Sequence, residues 1–285
     1  SIPGCKRMRN KWCNIHGITS IHYSSFFPPL IIYIVKIYLT NKVRKLMQKV
    51  TVVPKPLLTI GEDAALTLEM KPFLSYGFRK FAFILGHDGN LIEYFMRSNY
   101  PELDISFHYI KEALGTAHSL YQVRHIYPAN AIMACHADNI YLDEHFDNID
   151  LNYSFLFANY DPVLKPYAYI KAEDNRITGV VEKPKEYYSD WVLSGLFYFK
   201  NTEDLWHATE DNFFHKKKSH KEWSLSDTVD TMVSKFGIDV KTHVIDTPIH
   251  YGTPDEYNQT IHTYDTKSEI INRAMNKITI RDGEK

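Results

Sequence analysis

The chain has 285 residues, 44% of them hydrophobic and 24% charged, with a formal net charge of -1, a globular composition that excludes disorder and fibrous structure. Three cysteines (Cys5, Cys13 and Cys135), none in a CxxC pair, exclude a disulfide framework and a cysteine-rich zinc module, and fit a reducing, cytoplasmic compartment. The near-neutral balance gives no whole-chain reason to expect nucleic-acid binding.

The charge is unevenly distributed. Residues 1–61 contain no Asp or Glu and ten Lys or Arg, a charge of +10, which leaves the rest with 23 basic and 34 acidic residues, a net -11. The most apolar stretch, residues 26–39, holds Pro28, Pro29 and Lys36 and is shorter than the ~20 residues of a spanning helix, so no membrane span is expected. It stands too far from the start, and lacks the small residues of a cleavage site, for a secretory leader. An acid-free, Arg-bearing start suits an organelle transit peptide or a phosphate-binding arm. Residues 30–39, rich in Ile, Tyr and Val, read as a buried first strand, and residues 1–29 remain a basic segment without an assigned element.

Beyond residue 55 the pattern alternates. Apolar residues at helical spacing predict a helix over 63–75, followed by a strand at 80–85 (KFAFIL) and a helix at 91–97 behind the Asp88-Gly89 start signal. A strand at 105–110, a helix at 116–125 after Gly115 and a strand at 131–136 (AIMACH) come next. Strands follow at 153–158, 167–171, 176–181 and 193–199, then helices at 227–236 and 255–275. The run Lys216-Lys217-Lys218 reads as a solvated loop. Strands alternating with helices indicate an α/β sandwich on a mostly parallel sheet, with ligands bound beyond the carboxyl ends of the strands.

Candidate chemistry therefore lies in the loops that follow strands. Lys55 is held between Pro54 and Pro56, which stiffen the backbone on both sides; this suits a phosphate contact or a plain loop. Glu112-Ala113-Leu114-Gly115-Thr116-Ala117 precedes a helix, whose free N–H groups would receive an anion or a base edge; the alternative is a capped loop with Thr116 as N-cap. Asp138 ends the most apolar strand, where a carboxylate suits Mg²⁺ or caps the next turn. His136 and Cys135 read as packing residues, because alternation points them to opposite faces. Glu182-Lys183-Pro184 sets a hydroxyl acceptor beside a phosphate-pairing cation, and Gly195 inside a strand signals close approach of another group. Residues 250–257 (HYGTPDEY) form a turn running into a helix with Pro254 near its start.

Together these segments resemble the sugar-1-phosphate nucleotidylyltransferases. The likeness is carried by PKPLL at 54–58, LGTA at 114–117, AD at 137–138, EKP at 182–184, SGLFYF at 194–199, SLSD at 224–227 and YGTPDEY at 251–257, in the family's order. It implies a Rossmann-like three-layer sandwich of the GT-A-like nucleotidyltransferase type over residues 30–265, with 266–285 a C-terminal helix and tail. It implies an enzyme that joins an NTP to a sugar 1-phosphate and releases pyrophosphate, yielding a nucleotide sugar for polysaccharide or glycoconjugate synthesis. By the resemblance, Lys55 contacts the triphosphate, Glu112, Gly115 and Thr116 the nucleotide, Asp138 the Mg²⁺, Glu182 a sugar hydroxyl, Lys183 the sugar phosphate and Gly195 the sugar. Homo-oligomerisation is left open.

Two departures from the family pattern stand out. The glycine-rich GxGTR loop is replaced by residues 39–46, which contain no glycine, although Arg44 and Lys45 offer charge in its place. His250 occupies the position of an Asp that supplies the second metal ligand in many members, and a neutral His is a poor Mg²⁺ ligand. An impaired member that binds nucleotide sugar or a partner is therefore the alternative. A GT-A-type glycosyltransferase is a second one, though Asp138 is followed by Asn139 and Ile140 rather than by a DxD pair.

Overall fold

The computed structural model describes residues 30–34, 53–86, 89–127, 131–215 and 222–263. The basic segment 1–29, the replaced glycine loop with Arg44 and Lys45, the lysine run at 216–218 and the far end of the last helix lie outside the described residues.

The first half of the chain carries β1 (Leu30–Ile34), a short hairpin of β2 (Thr59–Ile60) and β3 (Asp63–Ala64), helix α1 (Ala65–Ser75), β4 (Lys80–Leu85), α2 (Gly89–Asn99), β5 (Asp104–Tyr109) and α3 (Thr116–Tyr121). Strands β6 (Ile132–His136), β7 (Asn139–Ile140), β8 (Ser154–Tyr160), β9 (Ala168–Glu173), β10 (Arg176–Glu182) and β11 (Trp191–Phe199) follow. Helices α4 (Thr202–Phe214) and α5 (Leu225–Ser234), strands β12 (Val240–Val244) and β13 (Ile249–His250), and a helical stretch at 254–263 complete it.

Among the described residues, nine strands form one sheet in the order β5-β4-β1-β6-β11-β8-β12-β10-β9. Alternation within the central strands builds two cores. Ile31, Phe81, Phe83, Met133 and Cys135 point to one face with Leu66, Met70 and Phe73 of α1 and Ile92 of α2. Ile32, Ala82, Ile84, Ile132 and Ala134 point to the other, with Leu120 of α3, Leu205 of α4 and Val229 of α5. Helices on both faces of one sheet make three layers. Each large apolar side chain removed from water here contributes about 1.5–3 kcal/mol, and the run of buried side chains through β4 and β6 explains why these strands read as continuous apolar segments.

The sheet is mixed, which corrects the expectation of a mostly parallel one. β4, β5, β1 and β6 are mutually parallel, and β12 is parallel to β8. β11 runs antiparallel to β6, β8 and β9, and β10 antiparallel to β9 and β12. The reason is the length of the connections: from β8 to β11 no helix intervenes, and only a crossover of a dozen or more residues can join parallel neighbours. Asp174 and Asn175, both with positive φ (47° and 64°), close the β9–β10 hairpin as a two-residue turn whose twist suits paired strands.

Candidate active site

A cavity of about 270 Å³ opens beyond the carboxyl ends of β6 and β10, walled by the 55 turn, the β11 bulge and the 250–252 segment. Of the residues singled out in the sequence, Lys55, Thr116, Asp138, Glu182, Lys183, Gly195 and His250 line it.

Asp138 leaves β6 at its carboxyl end. Its Oδ1 accepts from Asn139 Nδ2 at 3.1 Å, and its Oδ2 faces Gly252, where an added Cβ would come within 3.1 Å. Lys55, on a 3-10 turn that Pro54 and Pro56 start and stiffen, donates from Nζ to the carbonyl of Gly252. The two meet across the same glycine although the sequence separates them widely. Lys183 follows β10 in a left-handed backbone conformation (φ 46°), its backbone N–H donating to Tyr167 O at 2.9 Å, and its Nζ stands 3.3 Å from Glu182 Oε1. A strained non-glycine residue at a strand end beside a cavity is a common feature of ligand sites. Ser226 donates to Glu182 Oε2 at 2.5 Å, so the SLSD segment, which also starts α5 with Ser224 as N-cap, orients the carboxylate.

Gly195 has φ 82°, and a Cβ there would meet Asn139 Nδ2 at 2.7 Å and His136 Nδ1 at 3.3 Å. The close approach read from the sequence is thus met within the protein: the β11 bulge presses against the Asp138 turn. Asn139 is the link that sequence reasoning passed over. Its Nδ2 holds Asp138, and its Oδ1 accepts from His250 Nδ1 at 2.6 Å. Burial holds His250 below its ordinary pKa against the opposing pull of Glu256 and Asp138, so its imidazole is neutral. The ring stacks on Tyr167, with 5.6 Å between centroids.

Glu256 was also missed. Tyr167 donates to its Oε1 at 2.6 Å and the Thr253 amide to its Oε2 at 2.8 Å. Burial opposes its ionisation, but these bonds outweigh it and hold the carboxyl below the usual range. The Thr253…Glu256 spacing is the capping-box pattern, a readable signal for the bond though not for the residue's place on the cavity.

The residues expected on the nucleotide side stand in different settings. Glu112 is exposed and does not line the cavity, because the segment leading to α3 is turned outward. Gly115 (φ 133°) is needed for backbone pairing: a Cβ would fall 2.1 Å from Trp223 O, and Trp223 bonds to Leu114 O at 2.8 Å and Ala117 N at 2.9 Å. One N–H at the start of α3 is thereby occupied. Gly115, not Thr116, is the N-cap residue, and Thr116 Oγ1 accepts from Leu225 N at 2.9 Å while its side of the helix faces the cavity.

The family model described as nucleotidyl transferase matches residues 49–236, well over half of the chain. The chain belongs to the nucleotidyl transferase family. Among solved structures, the nucleoside-diphosphate-sugar pyrophosphorylase from Vibrio cholerae RC9 is similar with a TM-score of 0.67 at 15% identity, over 82% of this chain and 99% of that one. A UDP-glucose pyrophosphorylase complexed with UDP-glucose gives a TM-score of 0.68 at 13% identity, over 85% and 100%. The inositol-1-phosphate CTP transferase from T. maritima gives 0.63 at 14%, over 84% and 95%. These identities establish a shared fold for the transferase. A search of curated proteins finds no match. Among the described residues, no helix is long and apolar enough to cross a membrane.

Proposed function

We propose that this family member is a sugar-phosphate nucleotidylyltransferase that joins an NTP to a sugar 1-phosphate and releases pyrophosphate. The observation that carries the reading is the convergence of Lys55, Asp138 and Lys183, from three separate segments, on one cavity beyond the strand ends. An oxygen of the sugar phosphate attacks the α-phosphorus in line, the bond to the β-phosphate oxygen breaks, and pyrophosphate leaves with the electron pair. Such chemistry needs positioning and charge neutralisation rather than a covalent intermediate. Lys55 receives the triphosphate and Lys183 the sugar phosphate, as two cations that hold two anions which would otherwise repel. Glu182, oriented by Ser226, accepts from a sugar hydroxyl, and Thr116 borders the nucleotide.

The donor chemistry suits Mg²⁺. This hard cation takes oxygen ligands, commonly one or two carboxylates completed by substrate phosphates and water. Asp138 offers such a carboxylate, and among the described residues no group of three or more His, Cys, Asp and Glu forms a closed cage. His250 offers a nitrogen donor, which hard Mg²⁺ takes poorly, and its Nδ1 is engaged by Asn139 Oδ1. When bound, the ion neutralises phosphate charge. The nucleotide sugar would serve polysaccharide or glycoconjugate synthesis in the cytoplasm.

A second reading is favoured by His250 and by Glu112. One second-carboxylate position is held by a neutral imidazole and one nucleotide-side residue faces away, which suits a protein that binds nucleotide sugar without turnover. Pyrophosphate release with Mg²⁺, over the common NTPs and a panel of sugar 1-phosphates, separates the two. Release that needs both substrates and falls at least a hundredfold in Asp138→Ala supports the enzyme. Absence of release from folded protein that still binds nucleotide sugar refutes it.

A further inference from the structure

Glu69 lies on α1, fully buried among Leu66, Met70 and Phe73, where an apolar side chain would serve the core better. Tyr251 donates its hydroxyl to Glu69 Oε1, and the same hydroxyl stands 3.4 Å from Ala137 O. The Tyr251 amide bonds to Asp138 O at 3.3 Å. Tyr251 is itself 1% exposed, packed in a small core with Ile60, Ala65, Leu68 and Ile140. Its neighbour Gly252 takes the Lys55 ammonium on its carbonyl and faces Asp138 Oδ2. Thus one carboxyl on α1 ties down the tyrosine that carries the 250–252 segment, and that segment touches both residues on which the proposed chemistry depends.

We propose that Glu69, acting through Tyr251, is a positioning residue that holds the Gly252 segment in register with Asp138 and Lys55. The inference rests on the nucleotidylyltransferase reading for its effect on turnover, and on the geometry alone for its effect on the segment. Burial drives the carboxyl well above the usual range, with the Tyr251 hydroxyl opposing. A glutamine has the same shape and can accept from the same hydroxyl.

The test compares Glu69→Gln, Glu69→Leu and Tyr251→Phe in the full chain. Outer residues that orient metal- or phosphate-binding groups commonly change activity by about 10- to 100-fold. Glu69→Leu and Tyr251→Phe should lower kcat within that range with KM for the NTP changed less than twofold, and Glu69→Gln should stay within threefold of wild type. Amide hydrogen exchange at 249–253 and 137–140 should speed about tenfold in the Leu and Phe variants and not in Gln. Tyr251→Phe removes one hydroxyl from a packed ring and provides the test if Glu69→Leu fails to fold. Folded Tyr251→Phe with wild-type kcat and wild-type exchange in both segments would overturn the proposal, as would a Gln variant as impaired as Leu. If wild-type protein releases no pyrophosphate, the functional reading falls, and the exchange comparison still decides whether Glu69 holds the segment.

Discussion

Gly195→Ala separates the cost of a backbone conformation from the cost of a close contact. Gly77 has almost the same φ, 86° against 82°, but nothing lies within 4 Å of its would-be Cβ. Gly77→Ala should therefore show only the left-handed backbone penalty, about 1–2 kcal/mol. At Gly195 the new methyl meets Asn139 Nδ2 at 2.7 Å. That amide cannot swing freely, because it is buried and bonded to Asp138 Oδ1 and, through Oδ1, to His250. Overpacking typically costs about 1–3 kcal/mol, and a broken bond to a charged group adds about 1.5–3 kcal/mol. Allowing for partial relaxation, Gly195→Ala should be less stable than Gly77→Ala by about 2–3 kcal/mol, or about 5–10 °C in Tm for a domain of this size. Urea unfolding followed by tryptophan fluorescence measures the difference. Turnover well below Tm should drop about tenfold in Gly195→Ala alone, because Asp138 loses its Asn139 partner. Equal stability and equal turnover of the two variants would refute the packing argument.

Lys183→Ala should raise KM for the sugar phosphate about 10- to 100-fold, the worth of a charge-assisted bond, while KM for the NTP changes less than twofold; equal loss of both would make EKP structural. His243, whose Nε2 lies 3.0 Å from His145 O, is held by burial below its ordinary value near 6.5. The unfolded chain thus binds the proton more readily, and the stability contributed by the neutral ring is lost as pH falls through 6.5. Wild type should lose more stability than His243→Gln between pH 7.5 and 5.5. Parallel urea midpoints for the two proteins across that interval would contradict the assignment.

The parallel half of the sheet was legible because β4 and β6 are buried on both faces and announce themselves as apolar runs. The direction of β9 to β11 was equally written in their short connections, but the alternation of strand and helix elsewhere masked it. Helix α4 was missed although Asn201 caps it and Glu203 and Asp204 occupy its first turn; buried Thr202, Thr209 and Asn212 blur its apolar stripe. Strand β12 is mostly half-buried and mixes Lys241, Thr242 and His243 with valines, leaving no clear period. The place of Asp138, Glu182 and Lys183 on the cavity was readable because they stand at strand ends, and that of Lys55 because two prolines fix its turn. That Glu112 stands off the cavity was not legible, because the direction of its loop is set by tertiary pairing with Trp223, which no local pattern encodes. Glu69 was invisible for a related reason: a glutamate in an amphipathic helix reads as solvent-facing.

The bond from Lys55 to the Gly252 carbonyl spans 197 residues of sequence. During synthesis the lysine emerges early, and the cavity gains its last wall only after the 250–252 segment has left the ribosome. A chain that stops short of that segment carries the residues of β1 to β12 and of both principal cores, but not those of the cavity's last wall. The wall is anchored by the short β13–β7 pairing, His250 against Asn139.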